Sequence, residues 1–106
     1  MPKYVFAYHG GGMAETEAEQ QAEMAAWGAW MGAHESAWVD MGAPTGASMT
    51  VSADGNSEGG GANPISGYGL IEAADLQAAC AIAAGCPIIG NGGTVEVAET
   101  FEIPGM

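Results

Sequence analysis

Apolar and polar residues change their spacing several times along the chain, and each change predicts an element of secondary structure. Lys3–His9 alternates aromatic and small apolar side chains, which is typical of a central strand with apolar groups on both faces. Thr16 and Glu19 then form a T-x-x-E capping box, the sequence signal for a helix start. The first part of the chain therefore predicts a strand followed by a helix.

The stretch 67–102 shows the same order of signals more clearly. Apolar positions over 67–73 predict a strand, and Asp75 is a helix N-cap residue. A helical pattern follows from Leu76, and Gly85 with Pro87 marks its end. Alternation over 94–101 then predicts a half-buried strand.

The middle of the chain is less regular. A short strand is predicted over 37–41 and a further one over Met49–Ser52. The Gly- and Ser-rich stretch 53–63 is predicted to be a flexible loop. Its carboxylates do not have the spacing of an EF-hand, so it is not expected to bind calcium.

Two strand-helix-strand halves around an irregular middle predict an α+β fold in a single domain over 1–106. The expected form is a ferredoxin-like sandwich, in which two helices cover one face of an antiparallel sheet. The central strands are apolar on both sides, so the uncovered face needs a partner. A second copy packing sheet against sheet is the simplest one, and a homodimer is therefore predicted.

The charge balance is extreme, with 13 acidic residues against the single basic side chain of Lys3 and a formal net charge of −12. Such a surface repels phosphate backbones and anionic lipid, so neither nucleic acid nor a membrane is an expected partner. A solvated surface, adaptation to high salt and a divalent-cation site are alternative explanations of the acidity. No metal-ligand spacing supports the last, and no metal is predicted.

No cofactor motif is present. Gly10, Gly11 and Gly12 lack the Lys and Ser/Thr of a phosphate-binding loop. No signal peptide or transmembrane stretch is recognisable, which predicts a cytoplasmic protein. Cys80 and Cys86 are accordingly expected to be reduced, buried or half-buried thiols.

The first helix carries an apolar stripe with two tryptophans. Its members, at three- and four-residue spacing, are Met24, Trp27, Trp30, Met31 and His34. Packing in a core or interface is the common use of such a stripe, and a surface on which a ligand stacks is the alternative. His34 lies where it can interact with the helix dipole, so it is either a capping histidine or part of a ligand site.

Several segments together resemble the YCII-related family of small bacterial proteins across nearly the whole chain. They are KYVFAYHGG, AAWGAWM, VDMGAP, ANPISGYGLIEAADLQAACAIAAGCPI and GGTVEVAE, in that order. The resemblance implies a ferredoxin-like fold of the dimeric α/β-barrel type, usually a homodimer, with a cleft between sheet and helices. A His/Asp pair in that cleft has suggested enzymatic activity for some members, while most have no established activity.

The chain departs from that family pattern at two places. Residues 25–30, AAWGAW, contain no histidine where better-known members have one, and Ala62-Asn63-Pro64-Ile65 replaces the DGPF tetrapeptide of another branch. His9 and Asp40, each at a predicted strand end, remain as a candidate pair. If they meet, the carboxylate would orient the imidazole for general acid-base catalysis; otherwise both serve structure.

Two functions remain open. One is an enzyme or small-molecule binder with His9 and Asp40 as polar groups of the cleft. Its candidate ligand-binding residues are Tyr8, Trp27, Trp30, His34 and Tyr68. The absence of arginine favours a neutral or cationic ligand. The other is a non-catalytic dimeric structural or interaction module.

Overall fold

The computed structural model of the protein describes residues 1–12 and 14–105. Within these residues six strands and three α-helices follow one another. They are β1 (Lys3–His9), α1 (Glu17–Ala33), β2 (Trp38–Pro44), β3 (Met49–Ser52), β4 (Gly55–Glu58), β5 (Ile65–Glu72), α2 (Leu76–Ala83), α3 (Pro87–Gly90) and β6 (Thr94–Glu99). A 3-10 turn, Glu35–Ala37, links α1 to β2.

The main sheet has four strands in the order β2-β5-β1-β6, and every neighbouring pair is antiparallel. Strands β1 and β2 consequently run in the same direction with β5 between them. The predicted α+β class with an antiparallel sheet is confirmed. Within the described residues the sheet stays open, with β2 and β6 at its edges, and does not close into a barrel.

Both long helices begin at the caps predicted from the sequence. Thr16 Oγ1 accepts a hydrogen bond from the Glu19 N–H at 3.1 Å, and Asp75 Oδ1 accepts one from the Ala78 N–H at 2.8 Å. The Glu19 carboxylate, however, accepts from the N–H of Glu15 at 3.1 Å. The capping box is thus formed in one direction, and its return bond reaches one residue further back than predicted.

Two elements differ from the sequence prediction. Pro87 follows the end of α2 but also begins the short helix α3, because the first turn of a helix needs no N–H from that residue. Strand β3 is confirmed, but β4 lies inside the stretch predicted to be a loop and pairs with β3 in a two-stranded sheet. The flexibility of 53–63 stays a prediction.

Aromatic side chains of β1 form the centre of the core. Tyr4, Phe6 and Tyr8 alternate along the strand and are all buried on the side that the helices cover. Trp30 of α1 stacks on Phe6 with ring centroids 6.3 Å apart, and its Nε1–H donates to the Ile82 carbonyl at 2.9 Å. Trp30 therefore joins α1 both to the sheet and to α2.

The apolar stripe of α1 is only partly covered. Trp30 is buried and Trp27 is half-buried, whereas Met24 is 74 % exposed. The core-packing interpretation therefore applies to the C-terminal half of the helix.

The two cysteines differ in exposure. Cys86 is buried, but Cys80 is exposed, contrary to the prediction that both are buried or half-buried. Cys80 follows the buried Ala79 and lies on the outer side of α2.

The other face of the sheet carries a mixed, largely apolar surface. Strand alternation and cross-strand pairing place Val5 and Ala7 of β1 on this face, opposite Leu70 and Tyr68 of β5. Val5, Ala7 and Leu70 are half-buried, and Tyr68 is 42 % exposed. This open face is defined by these four residues.

Strand β2 holds its place beside β5 through a turn-like irregularity. Its register against β5 shifts between Trp38 and Asp40 and again between Asp40 and Ala43. Gly42 lies in this segment with φ of 70°, in the left-handed region that favours glycine. A Cβ at Gly42 would lie 1.8 Å from the Tyr68 carbonyl oxygen, which excludes any other residue without movement of the backbone.

Gly42→Ala should destabilise the protein far more than Gly92→Ala. Both glycines have positive φ, but nothing lies within 4 Å of a Cβ at Gly92. The left-handed conformation should cost each variant about 1–2 kcal/mol, and the clash should add about 1–3 kcal/mol at Gly42 alone. Urea unfolding of the two variants measures the difference, and equal losses would show that the β2–β5 contact yields freely.

Candidate functional site

A large cleft lies between α1 and the end of the sheet where β1, β5 and β2 meet. Its volume is about 790 Å³. Helix α1 supplies one wall, and the opposite wall and floor come from the three strands and α3. The side chains that line it are mostly apolar or aromatic, and they include Tyr8, Met24, Trp27, Met31, Met41 and Ile88.

Glycines of β5 and α1 lie in and beside the walls of this cleft. Gly67 and Gly69 occupy the helix-facing positions of β5 opposite Tyr8 and Phe6, where any larger residue would project between sheet and helix. A Cβ at Gly67 would lie 3.1 Å from the Tyr8 ring, and one at Gly69 would lie 2.8 Å from the Trp38 ring. On the α1 wall, Gly28 has nothing within 4 Å of a Cβ. The two strand glycines are therefore covered by aromatic rings, whereas the helix wall at Gly28 faces open space.

Tyr8 combines a packed ring with an unpartnered hydroxyl. Its ring meets the Trp27 ring edge to face at a centroid distance of 5.1 Å, and the residue is only 4 % exposed. The Tyr8 hydroxyl is buried without a hydrogen-bond partner. Burial, with a smaller effect from Cys86, raises the pKa of the Tyr8 phenol well above its ordinary value, so the phenol stays neutral and keeps its proton to donate.

Ser66 of β5 also has a buried hydroxyl without a hydrogen-bond partner. The residue is among those that line the same cleft. Buried polar groups are nearly always paired in folded proteins, so two unpaired hydroxyls among the residues of one cleft are unusual. Both hydroxyl oxygens are shielded from solvent, so a molecule in the cleft could reach them only if neighbouring groups moved.

The lining contains no basic side chain, because Lys3, the only one in the chain, is not part of it. Gln20 and Glu23 of α1 are the polar side chains on the helix wall. An anionic ligand would meet no positive charge here. The expectation of a neutral or cationic ligand stays a prediction.

His9 lies on the other side of the sheet from the cleft. It follows Val5 and Ala7 on the open face, and it does not line the cleft. Its Nδ1 is 3.1 Å from the Asn63 carbonyl oxygen, which assigns a proton to that nitrogen. Its Nε2 is 3.4 Å from Oε1 of Glu96 and can form an ion pair with it when protonated.

Asp40 has a different and local role. Its Oδ1 accepts a hydrogen bond from the Gly42 N–H at 2.8 Å, which stabilises the irregular segment of β2. Asp40 pairs with Leu70, which in turn pairs with Val5, whereas His9 is four positions beyond Val5 along β1. Asp40 and His9 are therefore about 13 Å apart along the strand direction, and β5 lies between their strands. The predicted His9–Asp40 pair is not formed, and Asp40 does not line the cleft.

The five predicted ligand-binding residues are distributed unevenly. Tyr8 and Trp27 line the cleft. Trp30 is buried in the core, and His34 ends α1 with its ring 6.4 Å from that of Trp30, outside the cleft. Tyr68 borders the cleft beside Gly42 through its main chain, since alternation directs its side chain to the open face.

Ser66 and the glycines of β5 were not predicted as site residues. The GYG sequence at 67–69 carried a signal, because alternate glycines in a strand mark a place where another group approaches the backbone closely. Ser66 carried none, since a lone serine beside a proline-containing loop has no recognisable pattern.

Within the described residues, no group of three or more His, Cys, Asp or Glu side chains is placed to hold a metal ion. Nor does that part of the chain contain a helix with the length and apolar character needed to cross a membrane. Comparison with protein-family models, curated proteins and solved structures finds no match.

Tyr8→Phe should make the protein lose less stability in alkaline solution. The raised pKa of Tyr8 means that the neutral phenol stabilises the fold fully below about pH 10, the ordinary value, and that this contribution declines as pH rises further. The wild type should therefore lose more stability per pH unit than the variant. The difference between the two slopes should stay below about 1.4 kcal/mol per pH unit, the value for one fully buried group, because the cleft is open to water. Urea unfolding between about pH 9 and pH 11 measures both slopes, and equal slopes would contradict the burial of this hydroxyl.

Proposed function

We propose that this protein is a homodimeric small-molecule-binding protein whose ligand occupies the cleft between α1 and the sheet. The observation that carries the proposal is the cleft itself, which is lined mostly by apolar and aromatic side chains with a few polar ones, Gln20 and Glu23 among them. A pocket with apolar walls and a few polar groups is the usual form of a ligand site, and the volume lies in the usual range of about 300–1,000 Å³.

We favour binding over catalysis because the two predicted acid-base residues do not line the cleft. His9 and Asp40 lie outside it, and Glu23 is the only carboxylate among its lining residues. The Tyr8 phenol can donate a hydrogen bond but is a poor base at neutral pH, since its pKa is raised by burial. The general acid-base mechanism considered for His9 and Asp40 is not part of the proposal.

We further propose a ferredoxin-like fold and membership of the YCII-related family. The strand order β2-β5-β1-β6, with α1 and α2 on one face, supports this fold. The family proposal rests on the sequence resemblance, which extends over nearly the whole chain.

The homodimer is proposed from the open face of the sheet. Val5, Ala7 and Leu70 present apolar side chains there, and Tyr68 adds a partly exposed ring. The radius of gyration is 15.2 Å, whereas a compact domain of this length has about 13 Å. A second copy packed on the open face would cover the apolar surface that one copy leaves in contact with water. A dimer without a ligand remains the alternative function that this face supports.

A cytoplasmic location is proposed on the basis of the two free cysteines. Cys80 is exposed and Cys86 is buried, and neither forms a disulfide. Free thiols persist in a reducing compartment.

Leu70→Glu should convert the dimer into a monomer. The change places a charge at the centre of the proposed interface, and burial of an unpaired charge is costly. Val51→Glu is the control, because Val51 is 75 % exposed on the β3–β4 hairpin. Sedimentation velocity at micromolar concentration, with enough salt to screen the acidic surface, measures the mass of each protein. A monomeric wild type would contradict the proposed dimer.

Gly28→Leu should abolish ligand binding while leaving the protein folded. The new side chain would project from α1 into the cleft and block the space beside the helix, and replacing a helical glycine should raise helix stability by up to about 0.8 kcal/mol. Gly32→Leu is the matched control, since Gly32 is also on α1 with open space around a Cβ but does not line the cleft.

A thermal-shift screen with neutral and cationic compounds compares these variants. Compounds that bind only the folded state raise its melting temperature. We expect such compounds to stabilise the wild type and Gly32→Leu but not Gly28→Leu. Equal stabilisation of all three would place the ligand outside the cleft, and no stabilisation of the wild type would favour the dimeric module without a ligand.

A further inference from the structure

We propose that the outer edge of β6 is a docking site for an extended basic segment of another protein, which joins the main sheet as an added strand. The site lies apart from the cleft, since no residue of β6 is among the residues that line the cleft. Three features of β6 carry the inference: main-chain groups that face outward, a regular ladder, and carboxylates on both faces of the strand.

The main chain of β6 has hydrogen-bonding groups along its outer side. Just beyond the strand, the Thr100 N–H donates to the Lys3 carbonyl of the antiparallel β1 at 2.9 Å. Hydrogen-bonded and non-hydrogen-bonded pairs alternate in such a ladder, so every second residue before Thr100 bonds to β1. Val95, Val97 and Glu99 therefore direct their N–H and C=O groups away from β1. In the part of the chain that the structure describes, no strand lies beyond β6 to pair with them.

Strand β6 is the regular one of the two edge strands. Its pairing with β1 runs from Thr94 to Glu99 without a register shift. Strand β2, at the opposite edge, has two register shifts, a glycine with φ of 70° at Gly42, and Pro44 at its end. Irregular backbone and proline hinder the addition of a strand. The β6 edge is therefore the one that presents a continuous template for strand addition.

The two carboxylates of β6 lie on opposite faces of the sheet. Glu96 is paired with Ala7 and shares the open face, where its side chain is 71 % exposed. Glu99 is paired with Tyr4 on the helix-covered face and accepts a hydrogen bond from the Tyr4 hydroxyl at 3.3 Å. Within the described residues, Lys3 forms no ion pair with either carboxylate. A strand added at this edge therefore meets an unneutralised negative charge on each face.

This arrangement defines the chemistry of the incoming segment. Opposite charges on neighbouring strands stabilise their pairing and like charges oppose it. The segment should therefore carry a Lys or Arg opposite Glu96 and another opposite Glu99, three positions apart, with apolar or small residues opposite Val97 and Ala98. A second copy of this chain fits less well, because it would bring its own two carboxylates and a formal net charge of −12 to the contact.

The test uses the amidated peptide KTVKVT, whose lysines lie opposite Glu99 and Glu96 in an antiparallel pairing. Fluorescence anisotropy of the N-terminally labelled peptide measures its binding to the wild type. We expect KTVKVT to bind about tenfold more tightly than ETVEVT, because two favourable cross-strand pairs replace two unfavourable ones. Failure of KTVKVT to bind overturns the inference.

Two N-methylated forms of KTVKVT show whether the peptide binds as a strand. A methyl group on the amide nitrogen of the residue opposite Val97 replaces an N–H that bonds to β6, whereas one on the residue opposite Glu96 points away from β6. We expect the first methyl group to weaken binding about tenfold and the second to leave it unchanged. Equal binding of the two methylated peptides would show attraction between charges alone and would overturn the proposed strand addition.

Two double variants locate the binding site on the protein. Glu96→Gln with Glu99→Gln removes both carboxylates of β6, and Asp54→Asn with Glu58→Gln removes the same number of charges from the exposed β3–β4 hairpin. We expect the first variant to bind KTVKVT about fivefold more weakly than the second. Equal binding would place the peptide elsewhere. Sedimentation velocity tests the other occupant: if KTVKVT converts a wild-type dimer into monomers, a second copy occupies the edge and the inference fails.

Discussion

The contact between Phe6 of β1 and Trp30 of α1 is the interaction on which the rest of the structure depends. It joins the central strand to the longest helix, and the hydrogen bond from Trp30 to the Ile82 carbonyl ties the same side chain to α2. Trp38 of β2 packs edge to face against both rings and donates from Nε1 to the Met31 carbonyl at 3.2 Å. One aromatic cluster therefore fixes both helices and the edge strand β2 relative to β1.

This cluster also explains where the cleft lies. Because the aromatic contacts are concentrated at the C-terminal half of α1, the N-terminal half is left without close packing against the sheet, and Met24 is 74 % exposed there. Gly67 and Gly69, at helix-facing positions of β5, let the rings of Tyr8 and Trp38 lie close against the strand. The same arrangement that stabilises one end of the layer leaves a space at the other, and the unpaired hydroxyls of Tyr8 and Ser66 lie beside it.

Charge and apolar surface act in opposite directions on the assembly of this chain. A formal net charge of −12 disfavours the approach of two copies, whereas the open face of the sheet favours it. The two effects have different ranges, since salt screens charges beyond about 10 Å at 0.1 M, whereas apolar contact acts only at short distance. Ionic strength should therefore determine how readily two copies associate.

The sequence by itself determined the elements whose signals are local. The caps at Thr16 and Asp75, the helix end near Gly85 and the alternation in β1 and β6 all depend on residues a few positions apart, and the α+β class followed from their order. Tertiary structure decided the rest, because it depends on strand register and on which face each residue occupies. Register separated His9 from Asp40 and gave Asp40 a turn to stabilise. Packing buried the hydroxyls of Tyr8 and Ser66 without partners, and no pattern of neighbouring residues encodes the absence of a distant partner.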